Sequence, residues 1–261
     1  EQADAFLQES DTLAAAIENH CDDKWNSPTQ FKGWTINDVL VHLYFWNRAA
    51  DLSLTAPDEF QQLMSTTLPK VSTMGLRGIE NEAITARGDE LLSLWKGTYQ
   101  DMGARWLDVD PKKRLEWVGP TMSARSSITA RQMETWAHGH EVLDLLGIKR
   151  QETDRIRNIV ILGVNTFAYS FTIRGKDVPE HMPTLLLTSP SGQLWKFGDH
   201  DDTIEGSALG FAQTVTQTRN FRDTDLVVTG QLALEWMENA QCFAGGAEPP
   251  PSRGARTIQS T

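Results

Sequence analysis

The chain has 261 residues, 39% hydrophobic and 23% charged, with a formal net charge of −11. That length allows one large domain or two modest ones, each with a real core. The acidic balance, 35 Asp and Glu against 24 Lys and Arg, argues against nucleic acid or an anionic membrane as the main partner, since both are held through clustered basic residues.

No apolar run reaches the ~20 residues a membrane-spanning helix needs. The first residues, EQADAFLQES, lack the basic-then-apolar pattern of a signal peptide. Glu1 is not an initiator Met, which is compatible with trimming at the N-terminus. Cys21 and Cys242 stand far apart and outside any CxxC, so a reducing, cytoplasmic setting is expected and both thiols are read as structural or incidental.

In chain order, Phe6, Leu7, Leu13, Ala14 and Ile17 recur at the helical period and predict a helix over ~3–20. CDDKWNSPTQFKG (21–33) reads as a loop. Thr35 and Asp38 form a capping-box pattern that opens a second helix through VLVHLYFWNRAADLSL. A polar, Pro-marked connector follows over 56–70, then one long helix over ~75–107. Residues 114–123 read as a connector, and Ser126 or Thr129 opens a fourth helix that Gly147 closes. Four such helices predict an antiparallel bundle.

The pattern then changes. A helix over 154–171 precedes strand, S-P-S-G turn and strand over 181–198. An acidic turn, DHDDTIEG, leads to the helix SALGFAQTVTQTR, the strand DLVVTG and the helix LALEWMENAQCFAG. The expected class is therefore α+β: a helical bundle over 1–150, a small α+β domain over 151–246, and a mobile Pro/Gly-rich tail over 247–261.

Within ITARQMETWAHGHEVLDLLG (128–147), Glu134 and His138 lie four residues apart and so share one helical face. A carboxylate oxygen and an imidazole nitrogen can then reach one ion, although the same spacing also serves a simple hydrogen-bonded pair. His42, in the middle of the apolar stretch DVLVHLYFW, supplies a third donor from another helix, because bundles build metal sites from facing helices. Two nitrogens and one oxygen leave positions open for water or substrate and suit Zn, but also Fe, Ni, Co or Mn. His140 is about 200° from His138 around the helix, which gives it an outer-sphere or surface role. Asp38, one turn before His42, is a candidate to hold the second imidazole nitrogen, in competition with its capping role.

These residues carry a resemblance. GWTINDVLVHL (33–43) resembles the W-T-x-x-D-x-x-x-H signature of the DinB/YfiT-like bundle superfamily, and the ExxxH of RQMETWAHGHEVLD is similar to its second metal motif. The branch that fits best is the mycothiol-dependent maleylpyruvate isomerase family, whose members join such a bundle to a small α+β domain. Within it, LEWVGPTMSAR and METWAHGHEVLDLLG resemble a metal-binding subfamily once labelled after wyosine base formation. The resemblance spans most of the chain and is strongest over 33–46 and 131–144.

It implies that His42, Glu134 and His138 hold a divalent metal, usually zinc, and that a low-molecular-weight thiol such as mycothiol or glutathione is a co-substrate. It also implies an arginine of the C-terminal domain near the substrate; TQTRNFRDTDL offers Arg219, preferred because it precedes the turn, and Arg222. Trp136, Arg125 and Arg131, on or beside the metal helix, are candidates for the pocket. For each of these arginines a surface salt bridge is the competing reading. WAHGH and the tryptophans around it (Trp34, Trp46, Trp117, Trp136) do not match maleylpyruvate chemistry, so the metal transfers and the substrate does not. The expectation is a zinc-type, thiol-dependent S-transferase or isomerase acting on a small electrophilic metabolite. The alternatives are a non-catalytic metal-dependent binding module and a metal-assisted hydrolase. The partners are the small molecule and the thiol, with neither nucleic acid nor membrane, and a homodimer is left open.

Overall fold

A computed structural model describes residues 1–21 and 23–259 and divides the chain into two compact units, Glu1–Leu146 and Gly147–Thr261. It is a mixed helical and sheet protein of the α+β class. Among the described residues no helix is long and apolar enough to cross a membrane.

The first unit is built on four helices: α1 (Gln2–His20), α2 (Ile36–Thr55), α5 (Gly88–Trp106) and α6 (Ala124–Leu146). α1 packs on α5 and α6, and α2 packs on the same two, which closes a bundle around Phe6, Leu13, Leu40, Leu43, Trp95, Tyr99 and Trp136, all of them fully buried. Each large apolar side chain so removed from water contributes roughly 1.5–3 kcal/mol. α1 and α5 approach closely at Gly103, where an added Cβ would collide with the side chain of Leu7.

Thr35 caps α2 as its sequence indicates: its hydroxyl accepts from the Asp38 backbone N–H and the Asp38 carboxylate accepts from the Thr35 N–H. Residues 56–70, expected as a connector, instead form α3 (Pro57–Thr67) and a short 3₁₀ turn. Pro57 at the first helical position, with Asp58 and Glu59 in the first turn, gives the start signal. The single long helix expected over ~75–107 is two, α4 (Val71–Ala83) and α5, separated at Ile84–Arg87, with Arg87 extended and Gly88 at φ 59°. The Gly88 N–H donates to the side chain of Asn37 on α2, which fixes the start of α5. Residues 114–123 form a hairpin, β1 (Arg114–Trp117) with β2 (Gly119–Ser123), in antiparallel register Leu115 to Met122.

The second unit carries α7 (Arg157–Asn165) and α8 (Phe167–Thr172), parted at Thr166. Its four-stranded sheet comprises β3 (Thr184–Thr188), β4 (Leu194–Phe197), β5 (Thr203–Ser207) and β6 (Val227–Thr229), in the order β4-β3-β5-β6. β3 and β5 run parallel and the other pairs antiparallel. α9 (Ala208–Val215) packs on β3 and β5, and α10 (Gln231–Asn239) on α8. β5 occupies part of the stretch read as an acidic turn; Ile204 alone of its five residues is fully buried, too little apolar pattern to mark a strand. The Pro/Gly-rich segment after residue 246, expected from composition to be mobile, is hydrogen bonded to this unit. The Glu248 and Pro251 carbonyls accept from Gln217 and Asn220, and Arg256 donates to the Gln217 carbonyl. Cys21 and Cys242 are both buried, one in each unit.

Candidate metal centre

α6 is buried nearly all round, and four of its charged or titratable residues share one face. Arg131, Glu134, His138 and Glu141 follow one another at spacings of three, four and three, so a helix stacks them on one side. His42 reaches the same place from α2. Its Nε2 lies 3.5 Å from Glu134 Oε2, and His138 Nε2 lies 3.4 Å from that same oxygen. The three donor atoms all fall within 4.8 Å of one another.

Those separations test the fit of a metal. A direct N–H···O bond to a carboxylate is about 2.7–2.9 Å long. Two ligands on one tetrahedral zinc, with bonds of about 2.0–2.1 Å, stand roughly 3.3–3.4 Å apart. The two imidazole–carboxylate distances match the shared-ion value, and two imidazoles with one carboxylate are a zinc-type set with room for further ligands. The residues fit a divalent ion.

Both imidazoles are oriented from behind. His42 Nδ1 is 2.9 Å from Glu80 Oε1, and His138 Nδ1 is 2.9 Å from Glu141 Oε2, so both Nε2 atoms are turned toward Glu134. Asp38 does not serve His42: its carboxylate is taken up by the Thr35 cap, by the Asn81 side chain at 2.9 Å and by Arg77 at 3.8 Å. Burial opposes the charged form of His138, yet the Glu141 charge and the facing Glu134 carboxylate overcome it and push its pKa up to about 10. His42 is likewise raised, burial being outweighed by Glu80 and then Glu134. Burial would raise Glu134, but the two imidazoles that face it and the Arg131 charge hold it well below the usual carboxylate range.

The walls are aromatic. The loop before α2 turns through Lys32 and Gly33, at φ 51° and 67°, a left-handed conformation glycine adopts freely. That turn stacks Trp34 on His138 (centroids 5.6 Å apart, planes 4° apart), sets it edge-on to His42, and puts Phe31 edge-on to His138. The hairpin delivers Trp117, which stacks on Phe60 and meets Trp46.

Of the other sequence candidates, Arg131 joins the cluster. It is buried, its guanidinium lies 5.5 Å over the Trp117 ring, and Nη2 is 4.0 Å from Glu134 Oε1. Its Nε and Nη1 are buried without a hydrogen-bond partner, and burial lowers its pKa against the pull of Glu134 and Glu80. Arg125 is exposed at the start of α6. Trp136 is not a pocket wall. It is fully buried on the other side of α6, against His140 with ring centroids 4.2 Å apart. His140 is also buried rather than on the surface, with Nδ1 3.1 Å from the Trp136 carbonyl. In the second unit Arg219 is half-buried and donates to the Thr218 carbonyl, while Arg222 is exposed, paired with Glu238 at 2.7 Å and lying over Phe221. A separate groove of about 470 Å³, lined by Phe45, Leu52, Leu63 and Ile84, touches none of the cluster residues.

Sequence reasoning missed Glu80, Glu141 and Phe31. Extending the ExxxH by one turn reaches Glu141; no comparable local signal marks Glu80.

Residues 6–143 match the family described as Mycothiol maleylpyruvate isomerase N-terminal domain. Two uncharacterised proteins from two strains of Mycobacterium tuberculosis are each 37% identical over 248 residues, covering 94% of this chain and 95% of theirs. Among solved structures, the mycothiol-dependent maleylpyruvate isomerase is similar with a TM-score of 0.56 at 15% identity, over 82% of this chain and 87% of that one. A mutant form of the same enzyme gives a TM-score of 0.54 at 16% identity, with the same coverage. At that identity the likeness is one of fold.

Proposed function

Because the chain belongs to the mycothiol maleylpyruvate isomerase N-terminal domain family, we propose that it is a divalent-metal, thiol-dependent enzyme, an isomerase or S-transferase acting on a small electrophilic metabolite. The observation that carries this reading is the convergence of His42 Nε2 and His138 Nε2 on one oxygen of Glu134, at separations suited to a shared zinc-type ion. His42, Glu134 and His138 hold the metal, which supplies the Lewis acidity that lowers a thiol's pKa into the neutral range. Trp34 and Phe31 shield the two imidazoles and thin the water around them.

In the isomerase reaction the thiolate sulfur adds to a conjugated double bond, forming C–S and breaking the π bond. Rotation about the resulting single bond follows, and elimination restores the double bond and the thiol. In a transferase the adduct takes up a proton and leaves.

The test is metal content and thiol chemistry together. Purified protein is expected to carry close to one divalent ion, and His42→Ala and His138→Ala to lose it. Zinc at about 100 times its Kd should stabilise the wild type by roughly 2.7 kcal/mol and leave both variants unmoved. Equal, sub-stoichiometric metal in all three proteins would remove the site. Incubation with mycothiol, glutathione or bacillithiol and an electrophile should give a metal-dependent adduct or isomer; metal without product from any thiol would make the protein a binding module.

A further inference from the structure

The three ligands leave Glu80 unexplained. It lies on α4, whose remaining buried residue is Ile79, and it is itself fully buried. Placing a carboxylate in a core is costly unless its oxygens are bonded, so a helix that needed only to pack would use an apolar residue there. One oxygen, Oε1, accepts from two donors of α2, His42 Nδ1 at 2.9 Å and Trp46 Nε1 at 2.6 Å. The other, Oε2, is buried without a partner.

Two features tie this residue to the metal reading on which the inference rests. Accepting from Nδ1 fixes the proton on that nitrogen and leaves the Nε2 lone pair free, and Nε2 is the atom aimed at Glu134. Glu80 also belongs to the charge balance of the buried cluster. With both imidazoles neutral, as metal binding requires, Glu80, Glu134 and Glu141 set three carboxylates against the single guanidinium of Arg131, and one dication makes up the two positive charges that the imidazole protons supply without it.

We propose that Glu80 is a positioning residue of the metal centre, holding His42 in its Nδ1-protonated form through a bond shared with Trp46. The competing role is anchorage of α4 alone, which would use the same bonds.

Glu80→Gln keeps an acceptor for both donors but removes the charge; Glu80→Leu removes both and fills the volume. Zinc affinity, read by chelator competition on folded protein, is expected to fall roughly tenfold in the first and about a hundredfold in the second. The absorption bands of the cobalt-substituted protein should shift in both. Glu82→Gln, exposed on the same helix and paired with Lys70, should change neither readout. If wild type binds zinc and both Glu80 variants bind it equally well, Glu80 is only an anchor and the metal reading stands. If wild type binds no dication, both readings fall. Should the variants not fold, imidazole ¹⁵N shifts of the zinc-loaded wild type decide the matter: a protonated Nδ1 and metal-bound Nε2 on His42 are expected, and the opposite assignment overturns the proposal.

Discussion

Glu141 Oε2 lies 2.9 Å from His138 Nδ1, one turn further along α6, and its charge sets how this histidine titrates. The folded-state pKa, about 10, stands above the ordinary 6.5. The stabilisation it gives the metal-free protein is therefore complete below about pH 6.5 and is lost as pH rises through about 10. A metal competes with the proton, so its affinity rises across the same window. The urea midpoint of metal-free protein is expected to fall between pH 7 and pH 10. Calorimetry in buffers of different ionisation enthalpy should find about one to two protons released per zinc at pH 7. Glu141→Gln should reduce that release; no release at pH 7 in the wild type would show His138 already neutral.

Arg131 puts a buried positive charge beside the carboxylate of Glu134. Removing it leaves that carboxylate with a single cationic competitor, the metal. Arg131→Gln is expected to tighten zinc binding by on the order of tenfold and, because Trp117 loses its cation partner, to alter tryptophan fluorescence. Arg125→Ala, at an exposed position on the same helix, should leave both unchanged. Weaker binding in Arg131→Gln would mean that the guanidinium holds Glu134 in place rather than competing for it.

Gly103 permits the close approach of α5 to α1, with Leu7 filling the space a side chain would need. Gly103→Val should destabilise the protein by roughly 1–3 kcal/mol through overpacking. Combining it with Leu7→Ala should recover part of that loss, a coupling that urea unfolding of the double-mutant cycle reads directly. Strict additivity would place the strain elsewhere.

The grouping of His42, Glu134 and His138 was legible because helical spacing is a short-range rule: Glu134 and His138 advertise a common face, and His42 stands out among apolar neighbours. The bundle was legible from equally local signals: the apolar repeat of α1, the Thr35–Asp38 cap of α2 and the Gly147 stop after α6. Glu80 was not, since α4 carries a polar pattern and its carboxylate meets His42 across 38 positions of chain. Asp38 was the nearer candidate, and the cap it makes with Thr35 consumed the oxygens it would have offered. The strand β5 carries little local signal because the sheet buries one side chain of it, and α3 starts at Pro57, a residue that breaks a helix in its interior but suits its first turn. In each case the deciding contact was distant in sequence or the local signal had two meanings.

The stripe Arg131–Glu134–His138–Glu141 also makes α6 a ruler. Trp136 and His140, between and beside Glu134 and His138 in sequence, point the other way into the core. Inserting or deleting one residue between Glu134 and His138 would turn everything beyond it by about 100°. His138 and Glu141 would leave Glu134 together, and the stacking of the imidazole on Trp34 would misalign at the same stroke. The helix therefore has little freedom to change its length here, whatever substitutions its individual positions tolerate.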